Sequence, residues 1–152
     1  MSRPSLYLVF ANKSALLRAL ADMLLADAMT GAEAAWPDDM DPAAGLAAAI
    51  LAKDLPIHQL FAATPHAAEI LAEAAALPGD LPGTTAARFA ALVDTRLTAA
   101  GDADAAATAR LVTIAADALK RAVLDESTYV ADVMRLATLV TAGIDRSPLH
   151  PA

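Results

Sequence analysis

The sequence predicts an all-α protein from three observations. Alanine, the strongest helix former, is the commonest residue, and hydrophobic residues make up 57% of the 152 positions against 4% for aromatic residues. No stretch keeps up the alternation of apolar and polar residues that marks a strand. Apolar residues instead recur at helical spacing between short breaks that contain proline or glycine. The length is typical of one domain, and the absence of cysteine excludes disulfides and Cys-ligated metals.

Three helices are predicted in the first half of the chain. Asn12 is a candidate N-cap for a helix that fades near Gly31. An Asp-Pro pair, with aspartate as N-cap and proline at the first helical position, predicts a second helix over 42–56, where another proline is expected to kink or end it. A Thr-Pro pair repeats this signal and predicts a third helix over 65–77.

Three more helices are predicted in the second half. A Pro- and Gly-rich loop over 78–83 comes first, and a helix over 84–100 follows it until Gly101 stops it. Two further helices are expected over 102–124 and 127–145, the first capped by its leading aspartate and the second by its leading serine.

The last two helices are the candidates for a homodimer interface. The final helix has an apolar arc wider than one core requires, which indicates either deep burial or a second flank that contacts a partner. The alanines of the preceding helix would allow close helix–helix approach. We expect a four-helix bundle formed by 102–145 of two copies. Its expected interface residues are Val112, Leu119, Val123, Val130, Val133, Met134, Ala137 and Val140.

Charge is distributed unevenly along this acidic chain. The net charge of −7 argues against a nucleic-acid partner for the chain as a whole. However, Arg3, Lys13 and Arg18 all precede the first acidic residue, Asp22. The start of the chain can therefore attract an anion that the rest of the molecule would repel.

The same positive segment contains a recognisable pattern. Leu6-Tyr7-x-x-Phe10 is followed by a tight turn and by Lys13, ahead of a leucine-bearing helix. This pattern resembles the end of the helix-turn-helix signature of TetR-family transcriptional regulators. The resemblance implies that the short helix is a recognition helix in the DNA major groove, with the tyrosine and the lysine on phosphates. The DNA-binding candidates that it implies are Ser2, Arg3, Ser5, Tyr7 and Lys13, of which Arg3 and Ser5 would reach base edges.

The resemblance covers only part of the family's DNA-binding domain. That domain has three helices, and this chain begins inside the turn before the third. The implied division is a helix-turn-helix remnant over 1–20, a ligand-binding and dimerisation domain over 21–147, and a tail over 148–152. Either Met1 is a mis-assigned start at a GTG valine codon, or the protein is genuinely truncated. In both cases we expect this chain to bind operator DNA poorly, because a short isolated helix is marginal in water.

The resemblance also implies a ligand pocket in the core of the larger domain. Small-molecule pockets usually combine apolar walls with one or two polar groups. Candidates on this criterion, each with ordinary core packing as the alternative, are His58, Phe61, Ile70, Phe89, Val93 and Ile114. His58 is the most pocket-like of them, because a half-buried imidazole needs a partner. The expected effector is a small apolar molecule.

The function expected from the sequence is a ligand-responsive TetR-like regulator, acting as a repressor. It would be cytoplasmic, would not cross a membrane, would need no cofactor, and would release operator DNA when the effector binds. No motif of an enzyme is present, so we expect no catalysis. Two alternatives stay open: a ligand-binding or dimerisation module without DNA binding, and a small helical enzyme or metal protein that uses His58, His66 and Glu69.

Overall fold

The computed structural model confirms the all-α class. It describes residues 10–63, 73, 81–122, 125–142 and 144, and this part of the chain contains helices and no strand. The helices are α1 (Lys13–Ala35), α2 (Pro42–Ala63), α3 (Leu81–Ala99), α4 (Ala105–Ala122) and α5 (Glu126–Thr141). The helix predicted over 65–77 lies outside the described residues except for Glu73.

The first two helix starts lie where the capping residues predict them. The Asn12 carboxamide oxygen accepts the Ala15 N–H at 2.8 Å. The Asp41 carboxylate accepts the Ala44 N–H at 2.9 Å, and Pro42 is the first residue of α2. Both side chains thus satisfy backbone donors that have no acceptor within the helix.

The end of α1, the end of α2 and the start of α3 differ from the predicted positions. Helix α1 does not fade at Gly31 but continues to Ala35, so that Ala32 lies fully buried in the core. Helix α2 contains Pro56 in its interior and ends at Ala63, so of the predicted kink or end at this proline the end does not occur. Helix α3 begins inside the predicted loop, with Pro82 in its first turn, where proline interrupts no helical hydrogen bond.

The connection between α3 and α4 is a tight turn at Gly101. Its φ of +94° is a conformation that residues with a Cβ rarely adopt. The predicted helix stop at this glycine is therefore confirmed. Asp102 does not cap α4 as predicted; its carboxylate accepts the Asp104 N–H at 2.9 Å, and the helix begins only at Ala105.

The cap of α5 is Asp125 and not the predicted Ser127. The Asp125 carboxylate accepts the Thr128 N–H at 2.8 Å and the Ser127 and Thr128 hydroxyls at 2.7 and 2.8 Å. These hydrogen bonds lower the pKa of Asp125 to about 2, the backbone N–H of Thr128 contributing most. Helix α5 then ends at Thr141, short of the predicted position 145.

Helix α2 lies at the centre of the packing. It contacts α1 and α5 most extensively and also touches α3 and α4, while α3 and α4 pack against each other. The largest fully buried side chains come from all five helices and from the turn after α1, and they include Trp36, Tyr129, Phe89, Met29, Leu46, Ile50, Val112 and Val133. No described helix has the length and hydropathy needed to cross a membrane.

The indole of Trp36 requires a glycine on α2. Trp36 follows α1 and is 2% exposed. It lies so close to Gly45 that a Cβ at this position would overlap its ring. The absence of a side chain at Gly45 therefore allows the α1–α2 turn to close over the core.

Candidate functional site

A group of charged side chains is buried between α2 and α4. The Asp54 carboxylate is fully buried, and the Lys53 Nζ lies 2.7 Å from each of its oxygens. The Lys120 Nζ, from α4, lies 3.0 Å from Asp54 Oδ1. We call Lys53, Asp54 and Lys120 the charged cluster. The two ammonium groups compensate the negative charge of the Asp54 carboxylate, which would otherwise be very costly to bury.

Lys53 lies in apolar surroundings. Its Nζ is 4.8 Å from the centre of the Phe89 ring, which is within the range of a cation–π contact. Burial lowers the pKa of Lys53, and the nearby Lys120 ammonium acts in the same direction, whereas Asp54 opposes both. The ammonium group of Lys53 would therefore be stabilised by further negative charge in its surroundings.

Two aromatic rings of α2 and α5 stack beside the charged cluster. The His58 and Tyr129 ring centres are 5.3 Å apart and their planes are inclined by 16°. Tyr129 is fully buried, and its hydroxyl has no hydrogen-bond partner within the described part of the chain. Burial raises the pKa of Tyr129, and the Asp54 charge raises it further. The hydroxyl therefore stays a neutral donor that no described group uses.

The cluster reaches solvent through Lys120. This side chain is 20% exposed, and its Nζ also lies 3.5 Å from the half-exposed Asp117. Asp117 in turn pairs with the exposed Arg121 at 2.5 Å. The arrangement thus runs from a fully buried carboxylate to the protein surface along one side of α4.

The predicted ligand-binding residues are only partly brought together. Phe89 and Val93 are fully buried, Phe89 against Lys53 and both within the main core, and His58 stacks on Tyr129. The prediction for Ile114 is wrong. Its side chain is 62% exposed on the outer face of α4, so it does not line an interior pocket. The Phe61 side chain and Ile70 lie outside the described residues.

The sequence analysis missed Lys53, Asp54 and Lys120 as site residues and gave Tyr129 no role in ligand binding. The available signal was a Lys-Asp pair inside α2, between the apolar residues Ile50 and Ile57. A charged pair in the middle of an otherwise apolar helix indicates either a solvated face or a buried network. Only the position of Lys120 on α4 decides between them.

A second feature lies on the surface, where α4 and α5 form an apolar groove of about 490 Å³. Its lining residues are Ala115, Ala118, Leu119 and Ala122 from α4, and Asp132, Arg135, Leu136 and Leu139 from α5. Along the same stripe of α4, Leu111 and Ile114 are 63% and 62% exposed, and Leu139 on α5 is 65% exposed. We call this surface the α4–α5 face.

Burial corrects the predicted set of dimer residues. Val112, Val133 and Ala137 are at most 1% exposed in the core of a single chain, so they cannot meet a second chain. Helices α4 and α5 are apolar on more than one flank, and these three residues lie on the flank that packs inward. Of the others, Val140 packs against the core, Val130 is half-buried, Leu119 lines the groove, Met134 is exposed, and Val123 is outside the described residues.

Lys13 is the predicted DNA contact that the structure describes. It is the first residue of α1, its side chain is 72% exposed, and its Nζ lies 2.9 Å from a Glu73 carboxylate oxygen. The other expected contacts, Ser2, Arg3, Ser5 and Tyr7, lie outside the described residues.

The alternative metal site is not assembled by the described residues. His66 and Glu69 lie outside them, and His58 contacts an aromatic ring. Within the described ranges, no three His, Asp or Glu side chains come together as metal ligands.

Comparison with known protein families, with curated proteins and with solved structures gives no match for this chain.

Proposed function

We propose that this chain is the subunit of a homodimeric, ligand-responsive transcriptional regulator similar to the TetR family. The proposal draws on the residue pattern Leu6-Tyr7-x-x-Phe10 with Lys13, on the all-α fold and on the buried charged cluster. The observation that carries it is the α4–α5 face, because a regulator that reads two half-sites needs a dimer.

The side chains of the α4–α5 face favour a protein partner. Leu111, Ile114 and Leu139 are each more than 60% exposed beside a groove lined mainly by alanine and leucine. Large apolar side chains gathered on one surface mark an interaction site more often than a free surface. The α4–α5 face would therefore be covered in the assembled protein.

The charges of the groove favour a second copy as that partner. Asp132 and Arg135 line the groove together. In a two-fold arrangement the aspartate of each copy can meet the arginine of the other, so the same patch is complementary to itself. The alanines at 115, 118 and 122 would let the two copies of α4 approach closely.

The fold offers a route from the core to the DNA-binding segment. Lys13 begins α1, and α1 packs along α2, which carries Lys53, Asp54 and His58. A ligand that binds one arrangement of α2 better than another would shift the position of α1 and the segment before it. This gives the proposed release of DNA a physical path of adjoining helices.

The regulatory role is tested in the source cell. The protein is tagged at its C-terminus and cross-linked to DNA, and the DNA recovered with it is sequenced. A C-terminal tag recovers the natural product wherever its translation begins. We expect a few discrete enriched sites, with weaker enrichment for Lys13→Ala because a phosphate contact is lost. The matched control is Arg88→Ala, which removes another exposed ion pair, to Glu33 at 2.7 Å, and should leave enrichment unchanged.

Failure of this experiment would select between the remaining roles. No enriched DNA, together with a dimer in solution, would contradict the regulator and favour a ligand-binding or dimerisation module. Equal loss of enrichment in the Lys13 and Arg88 variants would contradict the specific role of Lys13.

A further inference from the structure

Two charged residues line the groove of the α4–α5 face without an ion pair of their own. Asp132 and Arg135 lie three residues apart on α5, the first half-buried and the second exposed. Among the described residues, the ion pairs of α4 and α5 use Asp117, Lys120 and Arg121, and neither Asp132 nor Arg135 takes part in one. The other lining residues are alanines and leucines. Both charges are therefore available to groups of a partner chain.

We propose that Asp132 and Arg135 select the partner of the α4–α5 face, and that they admit a second copy of this chain whose α5 runs antiparallel. In that dimer the Asp132 carboxylate of each copy accepts hydrogen bonds from the Arg135 guanidinium of the other. This inference rests on the homodimer of the proposed function and adds what chooses the partner and its orientation.

Symmetry decides which orientation of the two copies joins opposite charges. Residues three apart share one face of a helix and lie about one turn apart along its axis. A two-fold axis that crosses α5 between Asp132 and Arg135 turns the second helix end over end, which brings each aspartate towards the arginine of the other copy. A two-fold axis along α5 instead places aspartate opposite aspartate and arginine opposite arginine. The charges therefore favour the antiparallel arrangement.

Covering the groove makes the choice of partner depend on these charges. A chain that contacts Leu136 and Leu139 removes water from the two charged side chains beside them. A charge that loses water without gaining a partner is costly, and like charges repel more strongly in apolar surroundings than in water. A chain with other charges at these positions is therefore rejected, while a copy of the same chain satisfies both groups.

The test mixes the parent protein with a chain in which the two charges are exchanged, Asp132→Arg with Arg135→Asp. Two copies of the exchanged chain again meet opposite charges, so this chain should dimerise as the parent protein does. A mixed dimer brings like charges together. Because the exchange leaves the mass unaltered, the exchanged chain carries a heavy nitrogen isotope. The two chains are unfolded together and refolded, and native mass spectrometry counts the three kinds of dimer.

We expect mixed dimers to fall from the random proportion of about half to about a tenth, because two ion pairs are replaced by two like-charge contacts. Asp132→Arg alone should weaken self-association by about tenfold, and the addition of Arg135→Asp should restore it. The matched control exchanges the charges of Glu33 and Arg88, which join α1 to α3 within one chain at 2.7 Å. That control chain should mix randomly with the parent protein.

Four outcomes would overturn the inference and leave the homodimer itself standing. They are mixed dimers at the random proportion, an excess of mixed dimers, which the parallel arrangement predicts, an unchanged self-association of Asp132→Arg, and a folded exchanged chain that stays monomeric. A monomeric parent protein would contradict the homodimer of the proposed function and this inference together.

Discussion

A carboxylate in an apolar core needs compensating charge, and Asp54 obtains it from two helices. Lys53 precedes it on α2, and Lys120 reaches it from α4. Replacing one member of such a group leaves the others uncompensated, which costs more than the intact group contributes. The stability of the α2–α4 contact therefore depends on all three side chains together.

We predict that Asp54→Leu lowers the free energy of unfolding by about 3 kcal/mol, because two ammonium groups lose their shared partner. Urea unfolding followed by circular dichroism measures the effect. Asp27→Leu, an exposed position on α1, is the control and should change stability little. Equal stability of Asp54→Leu and the parent protein would show that the cluster is solvated and not buried.

The two glycines of α1 and α2 give a matched pair of substitutions. A Cβ at Gly45 would overlap the Trp36 indole, whereas a Cβ at Gly31 would meet Ala52 at an ordinary distance of 3.5 Å. We predict that Gly45→Ala destabilises the protein by about 1–3 kcal/mol through overpacking. Gly31→Ala should stabilise it by about 0.5–1 kcal/mol, since helical glycine is replaced without strain. Thermal unfolding of both variants shows whether each substitution lowers or raises the stability. A Gly45→Ala variant as stable as the parent protein would contradict the close packing of Trp36 on Gly45.

At the scale of the helix, the start of α5 predicts a pH dependence. The pKa of Asp125 falls from its usual 3.8 to about 2 through hydrogen bonds from Thr128 and Ser127. A pKa that is lower in the folded state adds stability above the unfolded value, and this stability is lost as the pH falls through the folded one. The cap is thus at full strength above about pH 4 and is lost towards pH 2.

We predict that Asp125→Ala lowers the melting temperature at neutral pH, and that the gap to the parent protein narrows as the pH falls from about 4 to about 2. Ser127→Ala removes one of the hydroxyl donors to Asp125. At neutral pH its melting temperature should therefore lie between those of Asp125→Ala and the parent protein. A gap that stays constant across this pH range would contradict the ionised cap.

Strong local signals predicted three of the helix boundaries. Asn12, the Asp41–Pro42 pair and Gly101 act within a few residues of themselves, so the sequence shows them directly. The extension of α1 to Ala35 and of α2 beyond Pro56 depends on burial against other helices. A single sequence does not contain that information at the boundary itself.

The sequence predicted only part of the candidate site. His58 and Phe89 were candidates because the resemblance implies a pocket in the core, and His58 stood out because a half-buried imidazole needs a partner. Asp54 and Lys120 are separated by 66 residues, and each is ordinary on a helix surface. Their role follows from the α2–α4 packing, which periodicity does not reveal.

At the scale of the whole molecule, α4 connects the two features. Its inner side carries Lys120 of the charged cluster, and its outer side supplies Ala115, Ala118 and Ala122 to the groove. A movement of α4 that accommodates a ligand would therefore also move the α4–α5 face. In the proposed dimer, binding in the core and the geometry between copies would be linked.

The wide apolar arc of α5 explains why Val133 and Ala137, which are buried, were included among the predicted dimer residues. Val133 and Ala137 face the core, and Leu139 and Arg135 face the groove, within a few residues of one another. Apolar residues on both flanks give no sign of which one is inside. The contact of α5 with α2 decides it.

Homodimer formation through the α4–α5 face is the central claim, and sedimentation equilibrium at micromolar concentration tests it most directly. We predict a mass twice the 15.5 kDa of the chain, and a monomer for Ile114→Glu combined with Leu139→Glu, with helical content retained. Met23→Glu on α1, at an equally exposed apolar position, should remain a dimer. A monomeric parent protein, or a double variant that still dimerises, would contradict the account.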